Sequence, residues 1–195
     1  MISTECFLTS ISLNIMKTPT TLKQVLLEET EKTYRVTENL FRKVENSELN
    51  WKPTMGKNWM TIGQLLMHCA NDAYGKAVKG FINGDWGPAP TEKPDDQDAE
   101  HSLPMAEDLP FVDHVEQAIK ILEDDKALAI RSINEVEEPD LLSKRIIAPW
   151  GTLEMSLFQQ LLNMLAHLSQ HKGQLFYYLK LMGKDVGTAD LWGEV

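Results

Sequence analysis

Two histidines, His167 and His171, stand four residues apart in LLNMLAHLSQHKGQLFYYLKLMG, residues 161 to 183. The run holds no proline and no β-branched residue, so it is helical, and the two imidazoles project from one side about 6 Å apart along the axis. Neutral imidazole is the commonest protein metal ligand, and this spacing suits a pair of ligands. At about 100° per residue, Gln160, Asn163, His167, His171, Gln174 and Tyr178 fall in one narrow stripe, beside Leu157, Leu161, Met164, Leu168, Leu175 and Leu179. A polar stripe edged by leucines lines an interior cleft, whereas a solvated face would carry lysine and glutamate.

A third ligand is then needed. His68 sits among Leu65, Leu66, Cys69 and Ala70, where an unpaired imidazole is costly. Three neutral imidazoles with an open position suit Zn²⁺, Ni²⁺ or Fe²⁺. Such a centre lowers the pKa of a bound water or thiol. Asp72, one turn after His68, is the one catalytic candidate and could orient that histidine or a bound water. The plainer readings stand beside these: a helical HxxxH pair also occurs without metal, and His68 alone fits a hydrogen-bonded core residue. His101 and His114 read as surface groups and Cys69 as packing. The chain has no HExxH, no ExxH pair of the di-iron bundles, no GxSxG elbow and no glycine-rich phosphate loop.

The elements that must position these residues are helices. Thr21 with Gln24 and Thr61 with Gln64 form capping boxes, which predict a first helix over about 20–46 and a second from Thr61 to Gly84. Residues 84–110, with five prolines and many acids, keep no period and read as a long crossover. A third helix is expected from Pro110 to Val136 and a fourth from Leu153 to Met182, capped by Thr152 and stopped by Gly183. A short β-like patch in DLLSKRIIAPWGT separates them. The tail KDVGTADLWGEV is too short and polar for another core helix, although Leu191 and Trp192 could pin it down. The expected fold is all-α, a four-helix bundle with a long crossover between helices 2 and 3.

The 195 residues, 43% of them hydrophobic, suit one domain over 17–195 with an N-terminal extension over 1–16. That extension has no basic n-region and no long apolar core, so it fits neither a signal peptide nor a membrane span. A net charge of −10 argues against nucleic acid and anionic membranes as partners. Two cysteines, Cys6 and Cys69, make no disulfide framework, which favours a cytoplasmic location.

With these residues placed, the chain resembles the DinB-like superfamily of damage-inducible and YfiT-type metalloenzymes over roughly residues 17 to 192. HLSQHKGQL, residues 167–175, fits the family's HxxxHxGQ helix. The stretch from Trp59 to His68 and the APWGT turn before the last helix fit as well. The resemblance implies a divalent metal (Zn, Ni or Fe) on His68, His167 and His171, a small-molecule substrate and a homodimer. It also implies a transferase that activates a low-molecular-weight thiol of the bacillithiol, mycothiol or glutathione type. Lys172 replaces the arginine that often follows the second helix histidine, and the N-terminal arm and the acidic loop have no counterpart. Two alternatives remain: a hydrolase or lyase using metal-bound hydroxide with Asp72 as base, and a non-catalytic metal-binding stress-response bundle.

Overall fold

Helix α1 (Leu22–Phe41) starts at its expected cap: Thr21 is extended at φ −136°, and its hydroxyl accepts the Gln24 amide. The computed structural model describes residues 21–71, 73–86 and 105–193. Within these, α2 (Ile62–Asn71), α3 (Gly75–Asn83), α4 (Val115–Asn134), α5 (Asp140–Ser143), α6 (Leu157–Leu181) and α7 (Thr188–Trp192) follow in order, with strands β1 (Arg145–Ile147) and β2 (Glu154–Ser156) between α5 and α6. The fold is all-α. α1, α4 and α6 form three walls of the bundle, and α2 and α3 together make the fourth, each packing on both α4 and α6. Leu65, Leu66, Leu122, Leu161 and Leu168 are at most 1% exposed, each contributing about 1.5–3 kcal/mol by burial. No helix among the described residues is long and apolar enough to cross a membrane.

The expected second helix is two helices. A continuous helix over 61–84 is contradicted at residues 73–74, where Tyr74 takes φ −144° and ψ −64°. The cause is remote: Asp125, on α4, accepts the amides of Gly75 and Lys76 at 2.8 and 3.2 Å and so caps α3 from another helix. Gly75 is required here, because an added Cβ would lie 2.4 Å from both the backbone oxygen and Oδ1 of Asp125. Gly84 ends α3 at φ 71° as expected.

Three other boundaries move. The first helix ends at Phe41 rather than near residue 46, because Lys43 and Val44 tighten into three-residue turns on Leu40 and Phe41. The third begins at Val115 rather than Pro110; its first amide is held by Asn46 Oδ1 at 2.8 Å, a partner 69 residues away. The fourth begins at Leu157, because the residues after Thr152 extend into β2, which pairs antiparallel with β1. Ser156 and Gln159 form its capping box. At its other end Gly183 has φ 80°, and the amides of Gly183 and Lys184 reach Lys180 and Leu179 carbonyls, a glycine-terminated stop as expected.

The tail does form a helix, α7, but one with no buried residue. It is anchored by Lys172, whose ammonium donates to the Leu191 carbonyl at 2.8 Å and lies 5.8 Å from the Trp192 ring centroid. Lys172 therefore ties α7 to α6.

Candidate metal centre

The cluster is assembled by two helices. α6 presents His167 and His171 one turn apart, and α2 carries His68 across from them. The three Nε2 atoms lie 2.9 Å (His167–His171), 3.2 Å (His68–His171) and 3.4 Å (His68–His167) from one another. All three rings are partly buried and meet edge to face.

For His167 and His171 the partners of the other ring nitrogen fix the proton. His167 Nδ1 lies 3.3 Å from the Ala73 carbonyl. A carbonyl can only accept, so that nitrogen carries the hydrogen. On His171 the assignment runs back from another carbonyl: Tyr178 OH donates to Met60 O at 3.2 Å, so it accepts from Gln174 Nε2 at 2.9 Å. Gln174 Oε1 is left to accept from His171 Nδ1 at 3.1 Å. Both Nε2 atoms are therefore bare lone pairs aimed at the same small volume. A proton on His68 Nε2 could bridge one edge of the triangle, leaving lone pairs facing each other on another.

A divalent cation removes that conflict, and the spacing fits one. Nitrogens bonded to one metal at about 2.0–2.1 Å lie about 2.9 Å apart at right angles and about 3.3 Å apart at tetrahedral angles. The observed edges span that range. The three histidines could hold a metal ion, and among the described residues no carboxylate or thiolate joins the cluster. Burial, with the neighbouring His167, pushes His68 down to about 4. Burial first, and then His68, pushes His171 down to about 4, while burial also lowers His167. All three are neutral, and so competent as ligands, at physiological pH.

A pH dependence follows. Ordinary histidine titrates near 6.5, so between 6.5 and about 4 the unfolded chain binds protons that His68 and His171 refuse in the fold. Stability of the metal-free protein is present above 6.5 and is lost as pH falls through that window. Urea unfolding at pH 7 and pH 5 checks this: the midpoint is lower at pH 5, and the drop is smaller in His171→Ala.

Of the rest of the polar stripe, Asn163 is exposed, whereas Gln160, Gln174 and Tyr178 are buried or partly buried on the side of the histidines. Gln160 is buried and donates to Ile146 O on β1, tying the helix to the hairpin. At the opposite end Tyr178 is packed between Trp51 and Trp59, with ring centroids 5.2 and 6.1 Å away. Trp86 and Trp150 instead pack with Phe81. Cys69 is fully buried, and burial pushes its thiol well above the usual range, so it is packing as expected. His114 is exposed and precedes α4 rather than lying in its first turn. Asp72 and His101 lie outside the described residues.

Sequence reasoning missed Ala73 and Asp125. A backbone acceptor such as Ala73 leaves no side-chain signal. Asp125 did leave one, a carboxylate on the face of α4 shared by Leu122, Ala129 and Ile133.

The sequence profile of the DinB superfamily matches residues 29–175. No curated protein matches the chain.

Proposed function

The chain belongs to the DinB superfamily, and from that premise we propose that it is a divalent-metal-dependent transferase that activates a low-molecular-weight thiol for attack on an electrophilic small molecule. His68, His167 and His171 would hold the cation. The observation that carries the reading is the convergence of their three Nε2 atoms, with two of them committed as lone pairs by the Ala73 and Gln174 contacts. A divalent cation held there supplies Lewis acidity that lowers the pKa of a thiol, making it nucleophilic near neutral pH.

The chain's own groups set the remaining conditions. Cys69 is buried and its thiol is kept protonated, so the one cysteine among the described residues does not supply the nucleophile. The cluster offers three protein donors among the described residues, the number found in catalytic zinc sites that take a ligand. Gln174 and Tyr178 hold the His171 ring in place.

Protein loaded with Zn²⁺, Ni²⁺ or Fe²⁺ is incubated with glutathione, bacillithiol or mycothiol and a panel of alkyl and aryl electrophiles. Conjugation should depend on the metal and disappear in His171→Ala. If no thiol gives metal-dependent product above background, the transferase reading is wrong, whatever the metal content.

A further inference from the structure

The break between α2 and α3 lies directly behind the histidine cluster. In an unbroken helix the Ala73 carbonyl would accept the amide four residues on. At the break it instead faces His167 Nδ1 at 3.3 Å. That contact sets which nitrogen of His167 carries the hydrogen and turns Nε2 toward His68 and His171.

What holds the break open is a buried polar network. Asp125 is 6% exposed and accepts from Gly75 N at 2.8 Å, Lys76 N at 3.2 Å and Tyr34 OH at 2.6 Å. Tyr74, the residue between Ala73 and Gly75, has its fully buried hydroxyl 2.9 Å from Thr30 Oγ1. The two tyrosine rings pack with centroids 5.9 Å apart. Both residues on the α3 side of Ala73 are thus pinned by side chains from α1 and α4. A buried carboxylate is an expensive way to start a nine-residue helix; a buried Ser or Asn could cap α3 at less cost.

We propose that Asp125 is a positioning residue of the histidine site, acting through the α2–α3 break: it fixes Gly75 and Lys76 so that the Ala73 carbonyl orients His167. The proposal rests on the reading of the three histidines as metal ligands. It adds a residue from α4 that touches none of them.

Two variants loosen the break in different ways. Asp125→Asn removes one of the carboxylate oxygens. Gly75→Ala places a methyl 2.4 Å from both the backbone oxygen and Oδ1 of Asp125, so the start of α3 must move away from α4 and off the carboxylate, while the substitution also favours a continuous helix. Ile133→Ala, two turns further along α4 and also fully buried, is the control for general destabilisation. Zn²⁺ dissociation constants are measured by chelator competition on protein shown to be folded by circular dichroism, and the Co²⁺-loaded protein is examined for its d–d absorption. Both break variants should bind Zn²⁺ about 10–100-fold more weakly, the range found when a partner behind a ligand is lost, with a displaced Co²⁺ band. Ile133→Ala should keep both properties. If Asp125→Asn does not fold, Gly75→Ala alone decides. Unchanged affinity and spectrum in the folded break variants, or an equal loss in Ile133→Ala, would overturn the proposal while leaving the metal reading intact. No Zn²⁺ bound by the unsubstituted protein would overturn both.

Discussion

His171→Ala, purified without chelators, should lose metal affinity by more than the roughly 10–100-fold that follows loss of a group behind a ligand. It removes one of three donors outright and leaves the other two, His68 and His167, 3.4 Å apart with no third. The comparison variant is Gln174→Leu, which removes the acceptor of His171 Nδ1 and the donor to Tyr178 OH but no metal-facing nitrogen, and should fall within that range. Thermal unfolding supplies a second reading. At a Zn²⁺ concentration about 1,000 times the dissociation constant, binding to the folded state alone adds about 4 kcal/mol, so the unsubstituted protein should melt at a clearly higher temperature with Zn²⁺, and His171→Ala should not. Without metal the order reverses or vanishes, because the substitution relieves the facing lone pairs of His167 and His171, 2.9 Å apart. A variant that binds and melts like the unsubstituted protein would remove His171 from the site.

Asp125→Ala should be the most destabilising single substitution of a polar residue in this bundle. It strands three buried or partly buried donors, the Tyr34 hydroxyl and the Gly75 and Lys76 amides. Each stranded donor costs about 1–3 kcal/mol, so a loss of about 3–5 kcal/mol is expected in urea unfolding. Asp125→Asn keeps one carbonyl oxygen and should lose less. The pH dependence has the opposite sign to that of the histidines. Burial raises the Asp125 pKa against three hydrogen bonds that lower it, so its contribution to stability is fully present below the unfolded value and is lost as pH rises through the folded one. The stability difference between the unsubstituted protein and Asp125→Asn should therefore widen on acidification through that window. A loss below about 1 kcal/mol for Asp125→Ala, typical of a surface group, would show that the network carries little.

The histidines were legible because their signal is local or compositional: two share a helical turn, and the third stands out as a polar group in the apolar run LLMHCA. The caps at Thr21, Thr61 and Gly183 were legible for the same reason, each depending on residues within a few positions. The α2–α3 break was not, since nothing between Ile62 and Asn83 forbids a helix and its cause sits on α4. The start of α4 at Val115 has a similarly distant cause in Asn46. At α6, Thr152 and Ser156 both suit a cap, and only the pairing of Arg145–Ile147 with Glu154–Ser156 chooses between them.

The hydrogen bonds that run from His171 through Gln174 and Tyr178 to the Met60 carbonyl all point the same way. Co-directional bonds polarise one another, so the string acts as an extended dipole with its negative end at His171 Nε2. His167, backed by a single carbonyl, has no such extension. The two nitrogens on α6 are thus unequal, because this string adds electron density at His171 that His167 does not receive. The basicity of His171 is governed from a loop residue more than 100 positions earlier in the chain, at the other end of a string that one phenolic hydroxyl completes.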